Sequence, residues 1–302
     1  MRFSWRDTLL SYAFLAPAQL LLAVFTFYPL IYGSYLGFTE YTARQLGQGL
    51  PPRWVGWDNF RTVLGDELFL KSLWNSVKYL LVVPALQLAA LAVAVLVNAA
   101  LPFMAFFRAA YYVPVITTIT AAAVMWDWMY NKEGTLNWVL GAVHLIQKDH
   151  AFGWLNNEAS AFWAIMLVTF WRGFGYYMVL YLAGLQGIPG ELEEAAVLDG
   201  ASPWQRFWRI TVPLMRPTIL LGSVLSTIAA LRVLEEPLVF TQGGPLNSTY
   251  TALMYVYSKV FLNGFNADYG LASAAGLVVA VIALVLAVVN FRLFREQTGE
   301  RA

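Results

Sequence analysis

Four ionised side chains stand where the surrounding sequence is apolar. Arg172 interrupts the stretch from Ala159 to Gly187, and Arg232, Glu235 and Glu236 interrupt the stretch from Pro217 to Phe240. Insertion scales put a guanidinium at a membrane-helix centre at roughly 2.5–3.5 kcal/mol, so these groups are expected to face a bundle interior or a wet cavity. Two chemistries are open to them: a structural ion pair between the two stretches, or direct contact with a polar solute. Beside Arg172 lies TFWRGFGYY, Thr169 to Tyr177, which offers a hydroxyl, aromatic rings and two glycines. Small polar solutes are held by aromatic faces and a few well-placed hydrogen-bonding groups. Gly173 and Gly175 thin the helix, so a ring could approach its backbone. Stripes of this kind also arise from helix packing alone. Arg232 would suit an anionic group on such a solute.

Other site chemistries find little support. The chain has no cysteine, which removes disulfides, thiolate metal sites and cysteine nucleophiles. His144 and His150 are six apart in a polar stretch and read as loop residues. No metal, cofactor or catalytic residue is expected. A membrane-embedded enzyme would want His, Asp or Glu gathered at one depth, whereas Asp127, Glu133 and the Glu235–Glu236 pair are scattered. No G-x-x-x-x-G-K phosphate loop occurs, so the chain does not read as an ATP-binding subunit. Net charge is +1, with no basic nucleic-acid footprint.

The elements that must position these residues are membrane helices. Of the 302 residues, 59% are hydrophobic and only 12% charged, against roughly 25% charged in an average soluble protein. Thr8 to Thr39, Tyr79 to Phe107, Ala109 to Trp126 and Tyr269 to Phe291 carry no charge at all. A helix needs roughly 20 apolar residues to cross hydrocarbon. Six spans are therefore expected, near 10–37, 77–98, 106–130, 160–186, 217–240 and 269–292, in an all-α polytopic fold. The first is too long for a signal-peptide core and reads as a retained helix. With six spans both termini share one side. That side holds nine basic residues in about 59 positions, against eight in about 101 on the other, so it is expected to be cytoplasmic. Aromatic clusters such as Tyr28, Tyr32 and Tyr35 mark span ends, as interface belts do.

The segment 188–216, IPGELEEAAVLDGASPWQRFWRITVPLMR, is the one cytoplasmic loop long enough to act. Glu191 to Leu198 is a good helix former with acids in its first turns. Gly200 can end it with a positive φ. Ser202 and Pro203 form an N-cap and first-turn pair for a second helix, Pro203 to Ile210, whose Trp204, Phe207 and Trp208 share a face. Pro213 and Pro217 are expected to break it before the next span. The result is an amphipathic helix–turn–helix knob, which could lie on headgroups or dock into a partner.

Glu194-Ala195-Ala196, Gly200, Ile210 and Pro213 fit E-A-A-x3-G-x9-I-x-L-P, with Val212 in place of Leu. This resembles the signature loop of ABC importer permeases. FLAPAQLLLAVFTFYPLIYGSYLGFTEY, VGWDNF at 55–60, LAGLQGIPGELEEAA and TQGGP at 241–245 resemble the carbohydrate-uptake branch, similar to the maltose and glycerol-3-phosphate permeases. Together they cover nearly the whole chain.

The resemblance implies a type I ABC importer permease subunit for a sugar or sugar derivative, working by alternating access. It implies a second homologous permease in a heterodimer, two ABC ATPase subunits that hydrolyse ATP, an extracytoplasmic solute-binding protein and surrounding membrane lipid, and no nucleic acid. Glu194, Ala195, Ala196, Gly200, Ile210 and Pro213 would couple to the ATPase. By the same resemblance Thr169, Gly173, Tyr176 and Ser226 align with sugar-contacting positions, and Arg172, Arg232 and Glu235 join them as path candidates. Amide side chains expected on the fifth span are replaced by Ala230 and Val233, which weakens a maltose-like contact set. The implied division is an N-terminal helix and external loop (1–70), a five-helix core (71–292) and a cytoplasmic tail (293–302). The alternatives are the same machine for a polyamine, amino acid or phosphate ester, a self-contained channel, or an enzyme in the membrane.

Overall fold

A computed structural model describes residues 5–99, 102–146 and 152–296. His150, Lys148, Arg2 and Arg301 lie outside the described residues, as does the expected tail beyond Glu296. Among the described residues five helices are long and apolar enough to cross a membrane: Leu10–Leu36, Glu67–Val97, Glu158–Gln186, Pro203–Phe240 and Tyr269–Arg292. A bent pair, Met104–Ile116 and Ile119–Ala142, stands third in chain order where a span was expected over 106–130; its two helices meet at 99°, and taken as one span the pair makes a sixth. Helix stops at Ile116, Thr117 is extended, and Thr118 starts the next helix by accepting the Ala121 amide on its hydroxyl.

The chain forms two compact units: residues up to Asp66 with Val256–Val278, and Glu67–Tyr255 with residues from Val279 onward. In the first unit the span Leu10–Leu36 leaves almost all its side chains uncovered, as suits a helix facing lipid or another chain. Its end is capped by the motif VGWDNF. Trp57 and Phe60 pack on Phe38, the Asn59 amide donates to the Gly37 and Thr39 carbonyls, and Val55 donates its N–H to Phe38. A two-residue antiparallel ladder, Thr39–Glu40 against Arg53–Trp54, closes the cap.

In the second unit the fourth span, Glu158–Gln186, is the central post. Tyr177, Met178, Tyr181 and Leu185 pack on Leu86, Ala90 and Ala94 of the second span and Met215 of the fifth. Phe162, Ile165 and Met166 pack on Tyr79, Val82 and Val83 of the second span and Ala230 and Val233 of the fifth. Ala164 and Val168 meet Ala122, Trp126 and Tyr130 of the bent pair. Gly175 sets the closest approach. A Cβ there would overlap the Tyr111 carbonyl, so the role expected for this glycine, room for a ring, falls instead to a neighbouring helix backbone.

The fifth span departs furthest from expectation. It begins at Pro203 and runs through the segment read as a separate helix, so Pro213 and Pro217 do not break it. Phe207–Thr211 is a π turn that ends by bonding the Val212 N–H to the Phe207 carbonyl. It shifts the acceptor register by one residue just before Pro213 removes a donor. The same device, a π turn over Ala23–Phe27, precedes Pro29 in the first span.

Candidate functional site

Helix is lost in the fifth span at Arg232–Leu234 and resumes over Glu235–Phe240. The break is electrostatically consistent: Arg232 caps a helix C-terminus, and Glu235 and Glu236 open an N-terminus. The freed Val233 carbonyl accepts the Thr251 hydroxyl at 2.7 Å. Irregular backbone at membrane depth is tolerated where protein satisfies it or a cavity adjoins it. Both hold here.

The break lines an open cavity of about 690 Å³ between the second, fourth and fifth spans. Thr169, Arg172, Gly173 and Tyr176 reach it from the fourth span, and Ser226, Arg232 and Glu235 from the fifth. All seven candidate path residues thus line one cavity. Arg172 stands 14 residues from Glu158 and 14 from Gln186, so the cavity sits about 21 Å from either end of that span.

Within it the side chains differ in what they have free. Arg172 donates from Nη1 to Glu236 Oε1 at 2.7 Å and reaches Glu235 Oε2 at 3.5 Å. The arginine and Glu236 are 23% and 10% exposed, while Glu235 is 63% exposed. An ion pair between the fourth and fifth spans is therefore present, and its buried member is Glu236. Arg172 Nε and the Tyr79 hydroxyl, both buried, find no partner among the described residues. Thr169 turns its hydroxyl back to the Ile165 carbonyl. Ser226 accepts from Gln87 Nε2 at 2.6 Å and donates to the Ser223 carbonyl. Tyr176 leaves 46% of its surface open, and an added Cβ at Gly173 would only touch Leu86 at 3.5 Å.

Gln87 was not singled out from sequence, and it ties three spans together. Its amide donates to the Gly222 carbonyl and to Ser226, and its carbonyl accepts the Tyr181 hydroxyl. The available signal was a lone amide in the apolar run VVPALQLAALAVAVLV. On the loop after the break, Lys71 and Asn75 of the second span donate to the carbonyls of Leu246, Asn247 and Tyr250, which fixes the TQGGP turn.

A second feature is the hairpin leading into the fifth span. Gly190–Leu198 is a helix that closes in a Schellman motif: Gly200, at φ +77°, donates to the Val197 carbonyl, and Ala201 donates to that of Ala196. Ser202 then caps the next helix in a reciprocal box with Gln205. The two arms are tied by Arg206 and Glu193 at 3.8 Å. Glu194 and Ala195 are exposed, Ala196 partly so, Ile210 lies in the π turn and Pro213 opens the helix after it. Trp204 stacks on Phe207 and Trp208 meets both edge-on, while Trp204 stays 70% exposed and Leu198, at the hairpin tip, 88%.

Membrane-crossing helices around a mid-depth cavity, joined to an exposed hairpin, define a transport-protein core. The chain belongs to the family described as the binding-protein-dependent transport system inner membrane component, which matches residues 79–296. It is 32% identical to the sulfoquinovosyl glycerol transport system permease protein SmoG of Agrobacterium fabrum, covering 96% of this chain and 91% of that one. It is 33% identical to the lactose transport system permease protein LacF of Rhizobium radiobacter, covering 94% and 93%. A chain in the crystal structure of a bacterial alginate ABC transporter, in complex with its alginate pentasaccharide-bound periplasmic protein, superposes with TM-score 0.78 at 25% identity over 97% and 96% of the two chains. The chain is thus a multi-pass inner-membrane permease component with a type I importer permease fold.

Proposed function

We propose that the chain forms half of the translocation path of an ATP-driven importer for a sugar or sugar derivative. The observation carrying this is the mid-depth cavity, where an exposed tyrosine ring and convergent polar groups meet beside a broken helix. The lactose and sulfoquinovosyl glycerol permeases lend the solute class. Thr169, Gly173, Tyr176, Ser226, Arg232 and Glu235 line the path, and Arg172 holds its wall. ATP is hydrolysed on two separate ABC subunits, and the hairpin docks there. Glu194 faces a basic group, Ala195 and Ala196 pack in a groove, Gly200 allows the turn, and Ile210 and Pro213 lead the motion into the fifth span. A second, different permease completes the path, and a solute-binding protein delivers the sugar from outside. Both termini lie in the cytoplasm, with 1–70 as an N-terminal helix and external loop, 71–292 as the core and 293–302 as a tail.

The test is reconstitution. The chain, its partner permease, the ATPase and the binding protein in proteoliposomes should accumulate a labelled disaccharide only with ATP. Gly200→Val should leave the complex assembled but separate ATP hydrolysis from uptake, because positive φ is costly for a β-branched residue. Gly200→Asn should be tolerated, since nothing lies within 4 Å of an added Cβ. Solute flux through the permeases without the ATPase would instead mean a channel, and the coupling role would be wrong.

A further inference from the structure

The charges in the cavity are unevenly shared. It holds two guanidiniums and two carboxylates, and both carboxylates lie on Arg172. Among the described residues Arg232 has no ion-pair partner, although Glu235 follows three residues later. In continuous helix those two side chains would be neighbours. Here the unwound Val233 and Leu234 separate them, and Glu235 turns to the fourth span. Arg232 and the Arg172–Glu236 ion pair line the same cavity. Its near neighbours in the cavity wall, Ala229, Ala230 and Val233, offer no side-chain acceptor. Arg232 is exposed to the cavity, and its guanidinium presents a planar fork suited to an oxyanion.

We infer that the transported saccharide is acidic: its carboxylate or sulfonate is bound by Arg232 while a sugar ring lies on Tyr176. This rests on the sugar-importer reading and adds the charge of the solute. Arg172 takes no part in anion binding, because Glu236 and Glu235 neutralise it. A neutral sugar would leave Arg232 unmatched.

The experiment measures uptake by the reconstituted complex for two matched pairs, digalacturonate against digalactose and a 6-sulfonated glucoside against the plain glucoside. The acidic member of at least one pair should be preferred, and which pair responds separates carboxylate from sulfonate. Arg232→Ala should lower the acidic-to-neutral uptake ratio tenfold or more, and Arg232→Lys should restore most of it. A ratio, unlike a rate, is insensitive to how much variant protein folds. Glu235→Gln, which removes a nearby negative charge, should raise the ratio. Equal handling of both members, or a ratio unmoved by Arg232→Ala, overturns the inference while leaving a sugar importer standing. Uptake of a non-carbohydrate solute alone overturns the sugar reading and this inference with it.

Discussion

Replacing Arg172 by methionine keeps most of the side chain's length but strands Glu236. At 2.7 Å and an effective dielectric constant near 20, the direct attraction is roughly 6 kcal/mol. Much of this is offset by the cost of drying both groups, so the net worth of the pair is far smaller. Removing one partner is different, because the carboxylate that remains is nearly enclosed. Breaking a buried pair from one side typically costs about 3–5 kcal/mol. The exposed Glu235 adds little, since a screened pair contributes about 1 kcal/mol at most. At about 2 °C per kcal/mol for a chain of this size, Arg172→Met should lower the melting temperature by roughly 6–10 °C.

Glu236→Gln removes the charge but leaves Arg172 its second carboxylate, so it should cost less than Arg172→Met. The double variant strands no buried charge and should recover most of the loss. A coupling energy of about 2 kcal/mol or more is expected from the cycle. The assay is thermal unfolding in detergent, followed by fluorescence-detected size exclusion. If Arg172→Met costs under 2 °C, or if the double variant loses the sum of the two single losses, then Arg172 does not hold the cavity wall.

Two further predictions concern the packing around the cavity. Gly175→Ala drives a methyl group into the Tyr111 carbonyl, so the bent helix must move off the fourth span; about 1–3 kcal/mol of stability should be lost, visible as a lower melting temperature. Gln87→Leu leaves Ser226 and Tyr181 without their shared partner and should cost about 1–3 kcal/mol in the same assay, with uptake reduced as Ser226 loses its position; unchanged stability would mean that water replaces the amide.

The parts of this fold legible in sequence are those set by local rules. The first and sixth spans follow from runs without charge, and their limits fall within a residue or so of expectation. Gly200 and Ser202 announce their roles because a helix end and a helix start each have a residue chemistry of their own. The fourth and fifth spans were expected to carry either an ion pair or a solute contact, and sequence left that choice open. The ion pair at Arg172 forms only on folding, which brings residue 236 beside it. The break at Arg232–Leu234 is invisible locally, because the hydroxyl that satisfies Val233 sits 18 residues away on Thr251. Gln87 was passed over for the same reason: its partners lie 94 to 139 residues distant. Pro213 misled because a π turn upstream absorbs what a proline usually breaks.

That last difference matters for mechanism. In the proposed coupling, a hairpin followed by a broken helix would put a joint between the ATPase and the cavity, where a push on the hairpin would be lost. Instead helix runs from Pro203 to Leu231, 29 residues by subtraction, or about 43 Å. Its near end is fixed to the hairpin by the Ser202 box and the Arg206–Glu193 contact. Its middle is held against the fourth span, where Met215 is buried with Leu185. The far end is Arg232, where the backbone unwinds. In that proposed coupling, a displacement of the hairpin reaches the cavity through one continuous rod. The π turn is the one place of irregular winding along it, and at the far end the unwound Val233 is held by Thr251 and Glu236 by Arg172.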